Sequence, residues 1–186
     1  TLFPYTTLFR SDKAAIIGTL AERHNAVGRE CVRRDLAAVA AARDLHPALC
    51  RIVDSYYEMF MREPVMRDIW QATQADRALQ KLDADDMAVL AGLLSDAIRR
   101  IAPGMPAATL ATFSGLTMTL IAAAVRHAIT LPPKKARQAL AQFKAMLPHD
   151  LAEPLDDVVD LLGARGGGDG RAQRSVRVGE VAQHDA

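Results

Sequence analysis

An uncharged stretch from Met105 to Val125 constrains the fold of this chain more than any other feature of its sequence. A helix of this length, rising about 1.5 Å per residue, spans roughly the hydrocarbon core of a bilayer. However, threonine, serine, glycine and alanine dilute its large apolar residues, and neither flank carries an aromatic belt or a cluster of lysine and arginine. The sequence therefore favours a helix buried on nearly all sides within a helical protein, with a membrane-associated protein as an alternative.

The totals are those of one globular domain. A chain of 186 residues is long enough for a substantial core, and half of its residues are hydrophobic. The net charge of +1 indicates neither an acidic nor a basic partner. Abundant alanine favours helix over strand. Cys31 and Cys50 are too few for a disulfide framework, so we expect free thiols in a reducing cytoplasm.

The two ends of the chain differ in composition from the rest. Residues Thr1–Ser11, TLFPYTTLFRS, resemble the translation of a common sequencing adapter, so we expect a non-native segment at 1–11. From Gly163 onward glycine and arginine replace the apolar residues, which predicts a disordered tail at 163–186. The predicted helical domain therefore occupies residues 12–162.

Apolar residues recur at helical spacing through this domain, and prolines separate the segments. The predicted fold is all-α, a helical bundle of about five to six helices. The segments predicted as helices are 12–43, 47–63, 65–73, 76–101, 107–130 and 134–147, with a short docked helix at 155–162.

The constellations that an enzyme needs are not apparent in the sequence. No glycine-rich phosphate loop opens a helix, and the histidines lie in separate segments without partners at ligand spacing. Asp83, Asp85 and Asp86 are not followed by further ligands at the spacing of a calcium loop. We interpret Asp83 and Asp86 as an N-cap and first-turn acid pair. We expect no enzymatic activity, no cofactor and no metal site.

Aromatic and methionine side chains are concentrated in the segments between 56 and 118. Each of them alone suits an ordinary core, but as a set, with a few hydroxyl groups, they are typical of a pocket between helices. Such a pocket would take a small hydrophobic or amphipathic effector. The alternative is a stand-alone helical interaction module with a filled interior. The set comprises Tyr56, Tyr57, Met59, Phe60, Met61, Met66, Trp70, Met87, Phe113 and Met118.

Two segments resemble the tetracycline-repressor (TetR) family of transcriptional regulators. The run DKAAIIGTLAERHNAV, with Lys13, resembles the start of the fourth helix in that family, where the chain leaves the DNA-binding domain. The segment PALCRIVDSYYEMF resembles part of the family's sensor domain, as do the break at Glu63-Pro64 and the segment that contains Trp70. The resemblance extends over residues 12–147.

The resemblance implies an all-helical ligand-binding and dimerisation domain that forms a homodimer. The helices at 107–130 and 134–147 would form a four-helix bundle with those of a second subunit, and the partner would cover the remaining side of the uncharged helix. The residues that we expect at the dimer interface are Ala111, Gly115, Ala122, Leu140, Phe143 and Leu147. Those that we expect to line the ligand pocket are Tyr56, Phe60, Trp70, Met87, Phe113 and Thr117.

In the family, the DNA-binding helices precede the position of Lys13, where this chain has TLFPYTTLFRS. We therefore expect DNA binding in the intact protein only, and not through this chain. The predicted function is the ligand-sensing and homodimerisation portion of a cytoplasmic TetR-like repressor that does not associate with a membrane.

Overall fold

The computed structural model describes residues 5–149, including the side chains of Lys13 and of residue 15 onward. The described residues form six α-helices and no strand, which confirms the all-α prediction. A short 3₁₀ turn at Ala42–Asp44 connects the first helix to the second. The helices are α1 (Tyr5–Ala37), α2 (Leu45–Arg62), α3 (Val65–Ala75), α4 (Arg77–Ile101), α5 (Ala107–Ala128) and α6 (Pro133–Met146). The predicted helix at 155–162 and the predicted tail at 163–186 lie outside the described residues.

The first helix differs from its prediction at both ends. It begins at Tyr5, so the backbone of the adapter-like segment continues into α1, and it ends at Ala37 instead of Arg43. The early end has a local cause at Asp44, whose Oδ2 accepts hydrogen bonds from the backbone N–H groups of Ala41 and Ala40, at 2.8 and 3.2 Å. These bonds stabilise a separate turn before α2 begins.

The prediction that Asp83 and Asp86 lie at a helix start is wrong. Asp76 is the N-cap of α4, because its Oδ1 accepts hydrogen bonds from the N–H groups of Ala78 and Leu79, at 2.8 and 3.2 Å. Asp83 and Asp86 therefore lie well inside α4, where they cannot satisfy the free N–H groups of the first turn. Both form ion pairs with other helices instead.

One face of α5 supplies the centre of the core. Leu110, Met118, Ile121 and Val125 are at most 2% exposed, and α5 packs against α2, α4 and α6. Leu116, on the opposite face, is 57% exposed. The helix is therefore buried along one side within the chain, and not on nearly all sides.

Among the described helices, α5 is also the one that is long and apolar enough to cross a membrane, with a mean hydropathy of 1.7. This is weak evidence for a span, because the core helix of a soluble protein meets the same criterion. The core-facing side chains of α5 explain the apolar character of its buried side without a membrane.

The C-terminal end of α6 is attached to α2. The Nε2 atom of His46 lies 3.0 Å from the backbone oxygen of Lys144, and the Nζ atom of Lys144 donates to Oδ1 of Asp54 at 2.8 Å. The rings of His46 and His149 stack with their centroids 3.7 Å apart. These contacts fix α6 against the rest of the domain.

Candidate ligand cavity

A cavity of about 470 Å³ lies between α1, α2, α3, α4 and α5. This volume is within the usual range for small-molecule sites, about 300–1,000 Å³. Much of its wall is aliphatic or thioether side chain, which adapts to ligands of different shape. The apolar lining residues include Val27, Val32, Ile52, Met59, Met66, Met87, Leu90, Met118, Ile121 and Ala122.

The wall contributed by α1 contains a glycine that leaves room in the cavity. A Cβ atom built on Gly28 would have no atom outside its own helix within 4 Å, and Gly28 lines the cavity. Its backbone is helical, and glycine is a poor helix former relative to alanine. Gly28 therefore widens the cavity at a cost in helix stability.

Carboxylates line the cavity as well as apolar groups. They are Asp35, Glu58, Glu63, Asp83 and Asp86.

Two of these carboxylates are paired with arginines inside the domain. Oδ1 of Asp86 accepts a hydrogen bond from Nη1 of Arg29 at 2.6 Å, which joins α4 to α1. Oδ1 of Asp83 accepts one from Nη2 of Arg126 at 2.7 Å, which joins α4 to α5. The guanidinium carbon of Arg126 also lies 5.8 Å from the ring centroid of Trp70, within the range of a cation–π contact.

Two others have basic partners nearer the surface. Oε2 of Glu58 accepts a hydrogen bond from Nη2 of Arg62 at 2.7 Å, one turn away on α2. Oε2 of Glu63 lies 3.4 Å from Nε2 of His24, which is itself buried. These pairs place charged groups on the part of the wall formed by the end of α2.

Burial changes the acidity of two groups in the lining. It raises the pKa of the Asp86 carboxyl, and the hydrogen bond and charge of Arg29 oppose that change. Burial also raises the pKa of the Tyr56 hydroxyl against the opposing charge of Arg126. The phenol therefore stays protonated at neutral pH and can donate a hydrogen bond.

The residues predicted for the pocket are only partly brought together. Tyr56 and Met87 line the main cavity, whereas Phe60 and Trp70 line a small adjoining space of about 40 Å³ that Tyr56 also reaches. Phe113 and Thr117 are not among the lining residues of either space. Thr117 is 6% exposed, and Phe113 packs against the core from a half-buried position.

The lining residues from α1 were absent from the predicted set. His24, Gly28, Cys31 and Asp35 are spaced by three or four residues, so they share one face of α1 and line the cavity together. The signal available in the sequence was the spacing of these four residues by three or four positions, which places them on one face of a helix. Among the described residues, no group of His, Cys, Asp or Glu side chains is placed to hold a metal ion.

Comparison with known families connects this arrangement to a class of proteins. A family model described as "Tetracyclin repressor-like, C-terminal domain" matches residues 43–155, more than half of the chain. The chain belongs to this family. The predicted resemblance is therefore confirmed over α2 to α6. Comparisons with curated proteins and with solved structures give no significant match.

In this family the TetR-like C-terminal domain is the part of a transcription regulator associated with ligand binding and dimerisation.

The surface of this chain includes an apolar patch on α5, the outward patch, formed by exposed residues without charge. These are Ala111, Thr112, Leu116, Thr119, Leu120 and Ala123.

The residues predicted for the dimer interface of the TetR-like domain lie in two environments. Ala111 is exposed and Gly115 is half-buried, and both lie on α5 beside Leu116. Phe143 is half-buried on α6. The remaining three are at most 5% exposed within the single chain, and they are Ala122, Leu140 and Leu147.

Proposed function

We propose that this TetR-like domain is a non-enzymatic sensor in a cytoplasmic transcriptional repressor, and that a small hydrophobic or amphipathic effector binds in its cavity. The observation that carries the proposal is the 470 Å³ space between five helices, with its adaptable apolar wall. A stand-alone interaction module would be expected to have a filled interior, so the cavity favours the sensor.

The continuous helix α1 gives the proposed sensor a route to the rest of an intact regulator. His24 and Asp35 lie on the cavity wall, and they belong to the same helix as Lys13, where the resemblance places the junction with a DNA-binding domain. An effector could bias the orientation of such a domain only if it bound two positions of α1 with unequal affinity. DNA contact is proposed for the intact protein and not for the helices described here.

We further propose that the domain forms a homodimer through the outward patch of α5 together with α6. The proposed interface is centred on Ala111, Gly115, Leu116 and Leu120, with Phe143 at its edge. Three residues predicted for the interface are buried in the chain's own core, where they pack α5 and α6 against it; they are Ala122, Leu140 and Leu147. This burial leaves their side chains little surface for a partner.

The cavity proposal is tested by filling the space. The neutral fluorescent probe N-phenyl-1-naphthylamine becomes bright in apolar sites, so its titration reports an affinity. We expect the leucine side chain of Gly28→Leu to occupy part of the cavity and to weaken probe binding at least about tenfold. A tenfold loss corresponds to about 1.4 kcal/mol of binding free energy. The same variant should raise the urea midpoint, because leucine favours the helix over glycine by roughly 0.8 kcal/mol.

Gly92→Leu is the matched control. Gly92 is an exposed helical glycine on α4, it has no neighbour within 4 Å of an added Cβ, and it does not line the cavity. Its replacement should raise the urea midpoint and leave probe binding unchanged. Probe binding that survives Gly28→Leu, or a wild-type protein that does not bind the probe, would contradict the cavity as the effector site.

A further inference from the structure

The carboxylate of Asp35 differs from the others on the cavity wall. Its side chain is buried, the residue being 8% exposed, and among the described residues Oδ2 has no hydrogen-bond partner. The other carboxylates of the lining each have a basic group within 3.4 Å. Buried polar groups in native proteins are nearly always satisfied, so Oδ2, which the surrounding atoms cover, marks Asp35 as a cavity-lining residue that lacks a donor.

The nearest cations do not supply that donor. Nε of Arg51 and Nε of Arg34 lie 3.7 and 3.8 Å from Oδ1 of Asp35, beyond hydrogen-bond distance. The two side chains are 48% and 66% exposed, so water screens much of their charge. Asp35 therefore has two exposed guanidinium groups within 3.8 Å, one of them on Arg34 of the same cavity wall, but it receives a hydrogen bond from neither.

We infer that the effector of this cavity is a cationic amphipath, whose apolar body occupies the space between the helices and whose ammonium group donates to Asp35. The inference rests on the proposed function, because it names the ligand class of the same cavity. An ammonium donating to a carboxylate forms a charge-assisted hydrogen bond, which is about twice as strong as one between neutral groups.

The surroundings of Asp35 suit such a ligand. Val32, one turn before Asp35 on α1, and Ile52, next to Arg51 on α2, line the same cavity, and they provide apolar contact for the carbons of the ligand. Ser55, one turn after Ile52 on the same wall, offers a hydroxyl oxygen as a second acceptor. The terminal torsion of an aspartate is broad, so a modest rotation turns an oxygen toward the cavity.

The test compares ligands that differ only in their head group. Decylamine, decanol and decanoate, each below its micelle concentration at pH 7, compete with N-phenyl-1-naphthylamine for the wild-type protein. We expect decylamine to displace the probe at a concentration at least about tenfold lower than decanol, with decanoate the weakest competitor. This preference follows from the charge-assisted hydrogen bond to Asp35.

The variant Asp35→Asn keeps the size of the side chain and removes its charge, so it should reduce the preference for decylamine over decanol to less than about threefold. The matched control is Asp54→Asn, at an exposed carboxylate on α2 that pairs with Lys144 and does not line the cavity. It should leave the preference unchanged. If Asp35→Asn is unfolded by circular dichroism, Asp35→Ser replaces it.

The outcomes separate this inference from the proposed function. Equal displacement by decylamine and decanol, or a preference that survives replacement of Asp35, overturns the cationic ligand while the cavity remains the site if Gly28→Leu still blocks the probe. Failure of the wild-type protein to bind the probe overturns both.

Discussion

Two regions of this domain depart in opposite directions from the usual distribution of charged and apolar residues between surface and interior. The cavity between the helices is lined by carboxylates, and two of them, Asp86 and Asp83, pair with Arg29 and Arg126. The outward patch of α5 is exposed in the single chain, yet its helix has no charged residue before Arg126. Soluble domains usually bury apolar groups and expose charged ones, so both regions depart from the common pattern.

The comparison with α4 shows how unusual the outward patch is. The exposed face of α4 carries the pairs Lys81–Asp85 and Arg99–Asp96, at 2.7 and 2.8 Å, as expected for a solvated helix. On α5, exposed positions carry apolar side chains instead, at Leu116 and Leu120. A cavity with carboxylates on a mainly apolar wall suits an amphipathic ligand, and an apolar exterior suits a protein partner, so each departure corresponds to one half of the proposed function.

The largest effect is expected from placing charge on the outward patch. Leu116 and Leu120 are 57% and 46% exposed, so the double variant Leu116→Glu/Leu120→Glu should fold normally as a monomer. In a dimer it would bury like charges against each other, and we expect the dissociation constant to rise by about a hundredfold or more. Sedimentation equilibrium measures that constant, and circular dichroism checks the fold.

Val89→Glu is the control for the patch, because Val89 is an apolar residue of α4, outside the patch, with a comparable exposure of 45%. It should leave the dissociation constant within about twofold of wild type. A wild-type protein that stays monomeric at high concentration, or a double variant that still dimerises, would show that the outward patch is not the interface.

The sequence determined the helices better than the cavity. Proline breaks and the spacing of Leu79, Leu90 and Leu94 were sufficient to locate most helix boundaries within a few residues. Asp83 was assigned wrongly because an acid near a helix start and an acid paired across helices have the same local sequence. The difference depends on Arg126, which lies far along the chain.

The site was harder to predict, because hydrophobic periodicity identifies positions that face inward but not whether the space they face is filled. Phe113 and Thr117 face the core, as their pattern indicated, but they are not among the residues that line the cavity. The same limit applies to Leu140, since the apolar stripe of α6 fits the chain's own core and a partner equally well. Gly28 and Asp35 line the cavity only because the neighbouring helices form its other walls, so their sequence alone did not identify them.

A smaller effect is expected from breaking an ion pair beside the cavity. Arg126→Met leaves the carboxylate of Asp83 without its partner and removes the cation next to Trp70. The side chains of Arg126 and Asp83 are 19% and 31% exposed, so water offsets part of the loss. We expect the free energy of unfolding to fall by about 1–2 kcal/mol, measured by urea denaturation at a fixed protein concentration.

The matched change on the solvated face is Arg99→Met, which breaks the exposed pair with Asp96. Its effect should be within about 0.5 kcal/mol, because exposed ion pairs contribute little to stability. Equal losses for the two variants would remove the distinction between the charged cavity wall and the ordinary surface charges of α4.

The smallest effect is expected from the acidity of Asp86. The pKa of this carboxyl is raised, first by burial and against the opposing effect of Arg29. Between the unfolded and the folded pKa, the folded state therefore keeps a proton that the unfolded state has released. The resulting stabilisation is complete below the unfolded pKa and is lost as the pH rises through the folded one. The free energy of unfolding of wild type, relative to Asp86→Asn, should therefore fall as the pH rises from about 3 to 7. Asp85→Asn controls for the loss of an exposed carboxylate on the same helix. Urea denaturation across this range measures the difference, and a difference that rises with pH would mean that the pairing with Arg29 outweighs burial at this wall of the cavity.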